Sequence, residues 1–109
     1  MSDEGLTRAQ RLIGDLAPKF VELTDEVLFG DVWNRPELGV RDRSLITVAA
    51  LVTNGSSEQL RGHLVRALAN GVTTDELIEE ITHLAFYAGW PRAVSALGVV
   101  REVIGQTAD

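Results

Sequence analysis

The chain has two side chains suited to moving a proton at neutral pH, His63 and His83. His63 follows Leu60 by three residues and precedes Ala67 by four, so on a helix it borders the apolar stripe of Leu60, Leu64, Ala67 and Leu68. A half-buried imidazole in that position can donate or accept a proton. The same spacing also suits a structural histidine held by one hydrogen bond. His83 shares a helical face with Glu79 at i−4 and Tyr87 at i+4. Glu79 would orient or charge the ring; the alternative is a surface histidine in an ordinary helix pair. Trp33, Arg35, Arg41 and Arg43 cluster in and just after a segment containing Pro36 and Gly39. Such a loop can present an aromatic wall and a guanidinium to a pocket. Otherwise Trp33 packs as a hydrophobic lid and the arginines are solvated. Phe86, Tyr87 and Trp90 gather before Pro91 and suit a core or a subunit contact better than a pocket.

Several chemistries are excluded or disfavoured. The chain has no cysteine, so disulfides, thiolate metal sites and redox thiols are absent. His63 and His83 fall on different helices, with no H-E-x-x-H or similar spacing, and no metal site is expected. No glycine-rich phosphate loop, nucleophile elbow or triad spacing occurs. The net charge is −6, with no basic cluster, which argues against nucleic acid and anionic membrane as partners. Nine of the ten basic residues are arginine, leaving only Lys19. Arginine suits fixed, bidentate carboxylate binding. The polar start MSDEGLTRAQ lacks the basic and apolar regions of a signal peptide, and no apolar run reaches 18 residues. A cytoplasmic location is the resulting expectation.

These side chains need helices to position them. The 109 residues suggest one domain, 1–109. The patterning predicts a helix over Thr7 to Leu16 and another from Pro18 to Leu28, with Phe20, Leu23, Val27 and Leu28 as its apolar stripe. Residues 31–40 form a loop. A third helix spans about Arg41 to Thr53, apolar almost all round, and so is expected to be buried on all sides, partly by another subunit. Asn54-Gly55 closes it. Ser56 with Gln59 fits a capping box for a fourth helix, which stops at Asn70-Gly71. Thr73 with Glu76 is a second capping box, opening a fifth helix that ends near Gly89. Pro91 suits the first turn of a sixth, carrying Val94, Leu97, Val100 and Ile104. No period-two alternation is long enough for a strand, so the fold class is all-α.

The combination of RDRSL, the histidine of the fourth helix, NGVT-x-x-E and YAG-x-P over residues 41–97 resembles the carboxymuconolactone decarboxylase family, and FGDVWNRPEL at 29–38 is similar too. The family-like region runs over 29–105, with 1–17 as an N-terminal helix. The resemblance implies an alkylhydroperoxidase D-like fold of about six helices, its core shared between subunits, in homo-oligomers that are usually trimers or hexamers. The thiol-bearing relatives carry a Glu, two Cys and a His. Those positions fall here on Ser44, Ser56, Gln59 and His63, so only the histidine is kept and thiol peroxidase chemistry is ruled out. What remains resembles the cofactor-free decarboxylase branch, which acts on a small lactone carboxylic acid. On that likeness His63 is the catalytic residue, protonating the carbon or binding the oxyanion. Arg41 or Arg43 holds a carboxylate, Trp33 excludes water, and His83 is a secondary substrate-binding candidate. Decarboxylation or isomerisation of another acid, or a non-catalytic accessory role, are the other readings.

Overall fold

The computed structural model describes residues 5–107, and all regular structure among them is helical. They fall into two compact units, 5–38 and 39–107. No helix among them is long and apolar enough to cross a membrane.

In the first unit, α1 (Arg8–Ile13) opens on a capping box. Thr7 Oγ1 accepts from the Gln10 amide and Gln10 Oε1 accepts from the Thr7 amide. Helix α1 is shorter than the periodicity predicts. Helix α2 (Pro18–Glu22) starts on its proline and continues as a π-helical turn, Leu23–Leu28. A 3-10 turn, Val32–Asn34, follows inside the segment expected to be a loop. Asn34 Nδ2 donates to the Phe29 and Gly30 carbonyls at 3.2 Å, fixing that turn. Trp33 is buried and stacks on Phe29, with centroids 5.9 Å apart.

The second unit is a four-helix arrangement: α3 (Val40–Asn54), α4 (Ser57–Ala69), α5 (Thr74–Ala88) and α6 (Trp90–Thr107). Helix α3 packs against α4 and α5, and α6 packs against the same two. The core is aliphatic, centred on Val48, Leu60, Leu64, Leu77, Ile81 and Val103. Its helix ends follow from local chemistry. After α3, the Ser56 amide donates to the Leu51 carbonyl and the Gly55 amide to that of Val52. Gly55 takes φ +71°, the left-handed conformation that this closure requires. The Asn70-Gly71 stop repeats the pattern, with Val72 donating to Ala67 and Gly71 to Leu68. Helix α5 opens on the expected box, Thr73 and Glu76 exchanging bonds at 2.9 and 3.1 Å.

Ser56 precedes α4 but makes no side-chain capping bond, so the expected Ser56–Gln59 box does not form. Helix α3 buries Ser44, Val48 and Val52 within one chain and leaves Ile46 59% exposed. On α6, Val100 and Ile104 of the expected stripe pack in the core, while Val94 and Leu97 face outward and Ala93, Ala96, Val99 and Val103 complete the buried face.

Ser44, buried in this otherwise apolar face, is satisfied twice. Its Oγ donates to the Val40 carbonyl at 2.9 Å and accepts from Asn70 Nδ2 at 3.0 Å. The second bond ties the start of α3 to the end of α4. Ser44→Ala is expected to destabilise the chain by about 1–2 kcal/mol, since it orphans a part-buried amide. In a denaturant double-mutant cycle with Asn70→Ala, the pair should couple by about 1 kcal/mol. Simple additivity would show that the bond contributes nothing.

Candidate active site

Two polar contacts reach from α3 to neighbouring helices on different sides. Asn70 meets Ser44, so that strip of α4 faces α3. His63 lies two turns before Asn70 and therefore on the same strip. It is half-buried, and its Nδ1 is withdrawn from solvent. On the other side, Arg41 pairs with Glu76 of α5 and lies 3.8 Å from Asp42. The Glu76 carboxyl sits below its ordinary range because it accepts from the Thr73 backbone and then from Arg41.

The remaining sequence candidates are dispersed. The Arg41 guanidinium is already neutralised by Glu76, so a substrate carboxylate would have to compete for it. Arg43 is half-buried near the start of α3, and its carbonyl accepts from Thr47 Oγ1 at 2.8 Å. His83 is exposed on α5; its ring contacts Tyr87, with centroids 5.0 Å apart and planes tilted by 32°. Trp33 belongs to the other compact unit. Among the described residues, no three His, Asp or Glu side chains gather as a metal-ligand set.

Glu80 is the functional candidate that sequence reasoning missed. It lies one turn after Glu76 and so faces α3 from the α5 side. It is half-buried, and its Oε1 is shielded from water with no hydrogen-bond partner. Burial pushes its carboxyl up to about 7. A carboxylic acid poised there is near half-protonated at neutral pH, which suits proton transfer. A signal was present: Glu80 falls between Leu77 and Leu84 at i+3 and i+7, at the border of the apolar stripe.

A cleft of about 540 Å³ opens where the end of α3, the start of α4 and the start of α6 meet. Leu51, Leu60, Ala88 and Ala96 supply apolar wall; Arg92, Ser57 and Ser95 supply polar groups. None of the candidate site residues His63, His83, Trp33, Arg41 and Arg43 lines it.

A family model described as the carboxymuconolactone decarboxylase family matches residues 18–102. The chain is 36% identical over 103 residues to a 4-carboxymuconolactone decarboxylase of Acinetobacter baylyi, covering 94% of this chain and 77% of that protein. It is 35% identical over 88 residues to a nitrosuccinic acid decarboxylase of Metarhizium robertsii, covering 81% and 62%. It is 32% identical over 83 residues to an uncharacterised 15.0 kDa protein of Paracoccus denitrificans, covering 74% and 62%. The chain thus spans less than two thirds of the length of the second and third relatives.

The Glu80 carboxyl makes a signed pH prediction. Its value in the fold, about 7, lies above the ordinary 4.5 of an unfolded glutamate. The folded state therefore binds more protons between those values, and stability falls as pH rises through that window. Glu80→Gln removes the charge and should stabilise the chain at pH 8 by about 1–2 kcal/mol, roughly half the ~1.4 kcal/mol per pH unit rule because the group is partly solvated. At pH 4 the variant should match the wild type. Equal denaturation midpoints at pH 8 would show that the carboxyl is not strained.

Proposed function

The chain belongs to the carboxymuconolactone decarboxylase family, and from that premise we propose that it is a cofactor-free decarboxylase acting on a small lactone carboxylic acid of the 4-carboxymuconolactone type by acid–base chemistry. Two of its relatives are named as decarboxylases, of 4-carboxymuconolactone and of nitrosuccinic acid. Those two acids share a logic: each carries its own electron sink, a conjugated lactone carbonyl in one and a nitro group in the other. When the bond to the leaving carboxylate breaks, carbon dioxide departs and its electron pair enters that sink. For the lactone this makes a furanolate, and a proton then returns to ring carbon. The protein must stabilise the oxyanion, deliver that proton and hold the spectator carboxylate.

The observation that carries this reading is His63, an imidazole on the edge of a buried helical face with Nδ1 withdrawn from water. In the proposal His63 protonates the carbanionic carbon or binds the oxyanion. Arg43 or Arg41 holds a carboxylate, with Glu76 competing for Arg41. His83 has a secondary binding role. Glu80 adds a second proton-active group with a suitable affinity for protons near neutrality.

The same reading takes the working form as a homo-oligomer, a trimer or hexamer, in the cytoplasm. Its support is apolar surface: Phe86, Tyr87 and Trp90 are 79%, 78% and 64% exposed, and Val94 lies beside them on α6. Monomers seldom leave such a patch in water. Light scattering should return three or six times the chain mass, and Trp90→Glu should lower it. A wild-type mass of one chain would remove the oligomer from the reading.

Turnover decides the activity. Wild type should consume 4-carboxymuconolactone with release of carbon dioxide, and His63→Ala should lower kcat/KM by about 10²–10⁴-fold, the range for loss of a positioned acid. Equal rates would take His63 out of the mechanism. No wild-type turnover would remove this substrate, and nitrosuccinate would then be the next acid to assay.

A further inference from the structure

The cleft at the α3–α4–α6 junction is a feature that the His63-centred reading does not use. Its volume, about 540 Å³, is within the usual range for a small-molecule site. Its walls are apolar, from Leu51, Leu60, Ala88 and Ala96, and its polar groups are two hydroxyl-bearing residues and one guanidinium. No carboxylate lines it.

Arg92 is the charged member. Unlike Arg41 and Arg61, which pair with Glu76 and Glu102, Arg92 has no carboxylate or carbonyl partner among the described residues. Its guanidinium lies directly over Gly55, in the space a side chain at 55 would fill. Gly55 thus has two roles: it supplies the left-handed closure of α3, and it leaves room for the guanidinium. Ser57, in the first turn of α4, and Ser95, one turn along α6 from Arg92, flank it as hydroxyl donors.

We propose that this cleft is a binding site for a small carboxylate, with Arg92 as the bidentate anchor, Ser57 and Ser95 as flanking donors and the aliphatic wall taking the carbon skeleton. An unpaired guanidinium beside apolar surface favours a planar carboxylate over halide or a neutral ligand, because the fork matches both oxygens. The site is separate from His63 in its lining: His63 is not among the residues that wall it, and on α4 it is turned by about 120° from Ser57, at 100° per residue. The cleft therefore stands whether or not the decarboxylase reading does.

The test is binding, read residue by residue. Wild-type protein is titrated with succinate and, as a neutral control, with succinamide, following backbone amide chemical shifts. Saturable shifts from succinate alone, concentrated in residues 51–60 and 88–96, are the expected result. Arg92→Gln should weaken binding at least about tenfold, as expected for loss of a charge-assisted bidentate pair, and Arg92→Lys should recover part of it. Arg92 is exposed and unpaired, so both variants should keep the wild-type thermal midpoint. His63→Ala should bind succinate as wild type does. The proposal is overturned if Arg92→Gln binds succinate unchanged, if succinamide binds equally well, or if the shifts centre on His63 and Arg41. Loss of binding in His63→Ala equal to that in Arg92→Gln would likewise end the claim of a separate site.

Discussion

Helix α3 is an apolar wall that strips water from whatever polar group faces it, and the chemistry available to this chain follows from how each group responds. Burial of a polar atom is tolerated when it is bonded, and burial of a charge when it is paired. Ser44 meets the condition through Val40 and Asn70. Glu76 meets it through Arg41 and its own capping box, and its proton affinity falls accordingly. Glu80, one turn further along α5, has no such partner, so desolvation alone acts on it and its proton affinity rises. Two glutamates four residues apart are thus driven in opposite directions, Glu76 downward by the Thr73 backbone bond and then Arg41, Glu80 upward by burial.

That contrast explains what was legible in the sequence. Local rules were legible because their energetics are local. The Thr73–Glu76 box and the Gly55 and Gly71 stops form where spacing requires them. The Ser56–Gln59 box had the same spacing and did not form, because the Schellman closure of α3 runs straight into Ser56 and directs its backbone to Leu51. On α6 the expected stripe holds in part: Val100 and Ile104 pack in the core, but Val94 and Leu97 face outward and the small Ala93 and Ala96 are buried, because residue size alone does not fix which side of a helix meets its neighbours. Glu80 and Arg92 were missed because their interest lies in missing partners, which are a property of three-dimensional packing. The half-buried position of His63 was legible because its flanking stripe is a property of one helix.

The exposed apolar residues belong to the same account. A small unit cannot surround every apolar face with its own chain, since surface grows relative to volume as size falls. Ile46 on α3 and the aromatic group at the α5–α6 corner carry that excess outward. Phe86 and Trp90 meet edge to face at 6.1 Å, a preferred aromatic geometry, yet both remain largely in water. The sequence argument that α3 is too apolar for one chain and the exposure of these rings reach the same point from independent directions.

Helix α4 completes the division. Its buried ridge of Leu60, Leu64 and Ala67 separates two polar environments rather than one. On the flank toward α3 stands His63, with a nitrogen withdrawn from water and no acid–base metal set around it among the described residues. On the flank toward α6 lies an open cleft with a guanidinium and two hydroxyl-bearing residues but no titrating group near neutrality. Proton transfer suits the first kind of environment, where a ring nitrogen is held away from bulk water. Anion capture needs the second, where a permanent charge stays ready at any pH and apolar wall strengthens its pull.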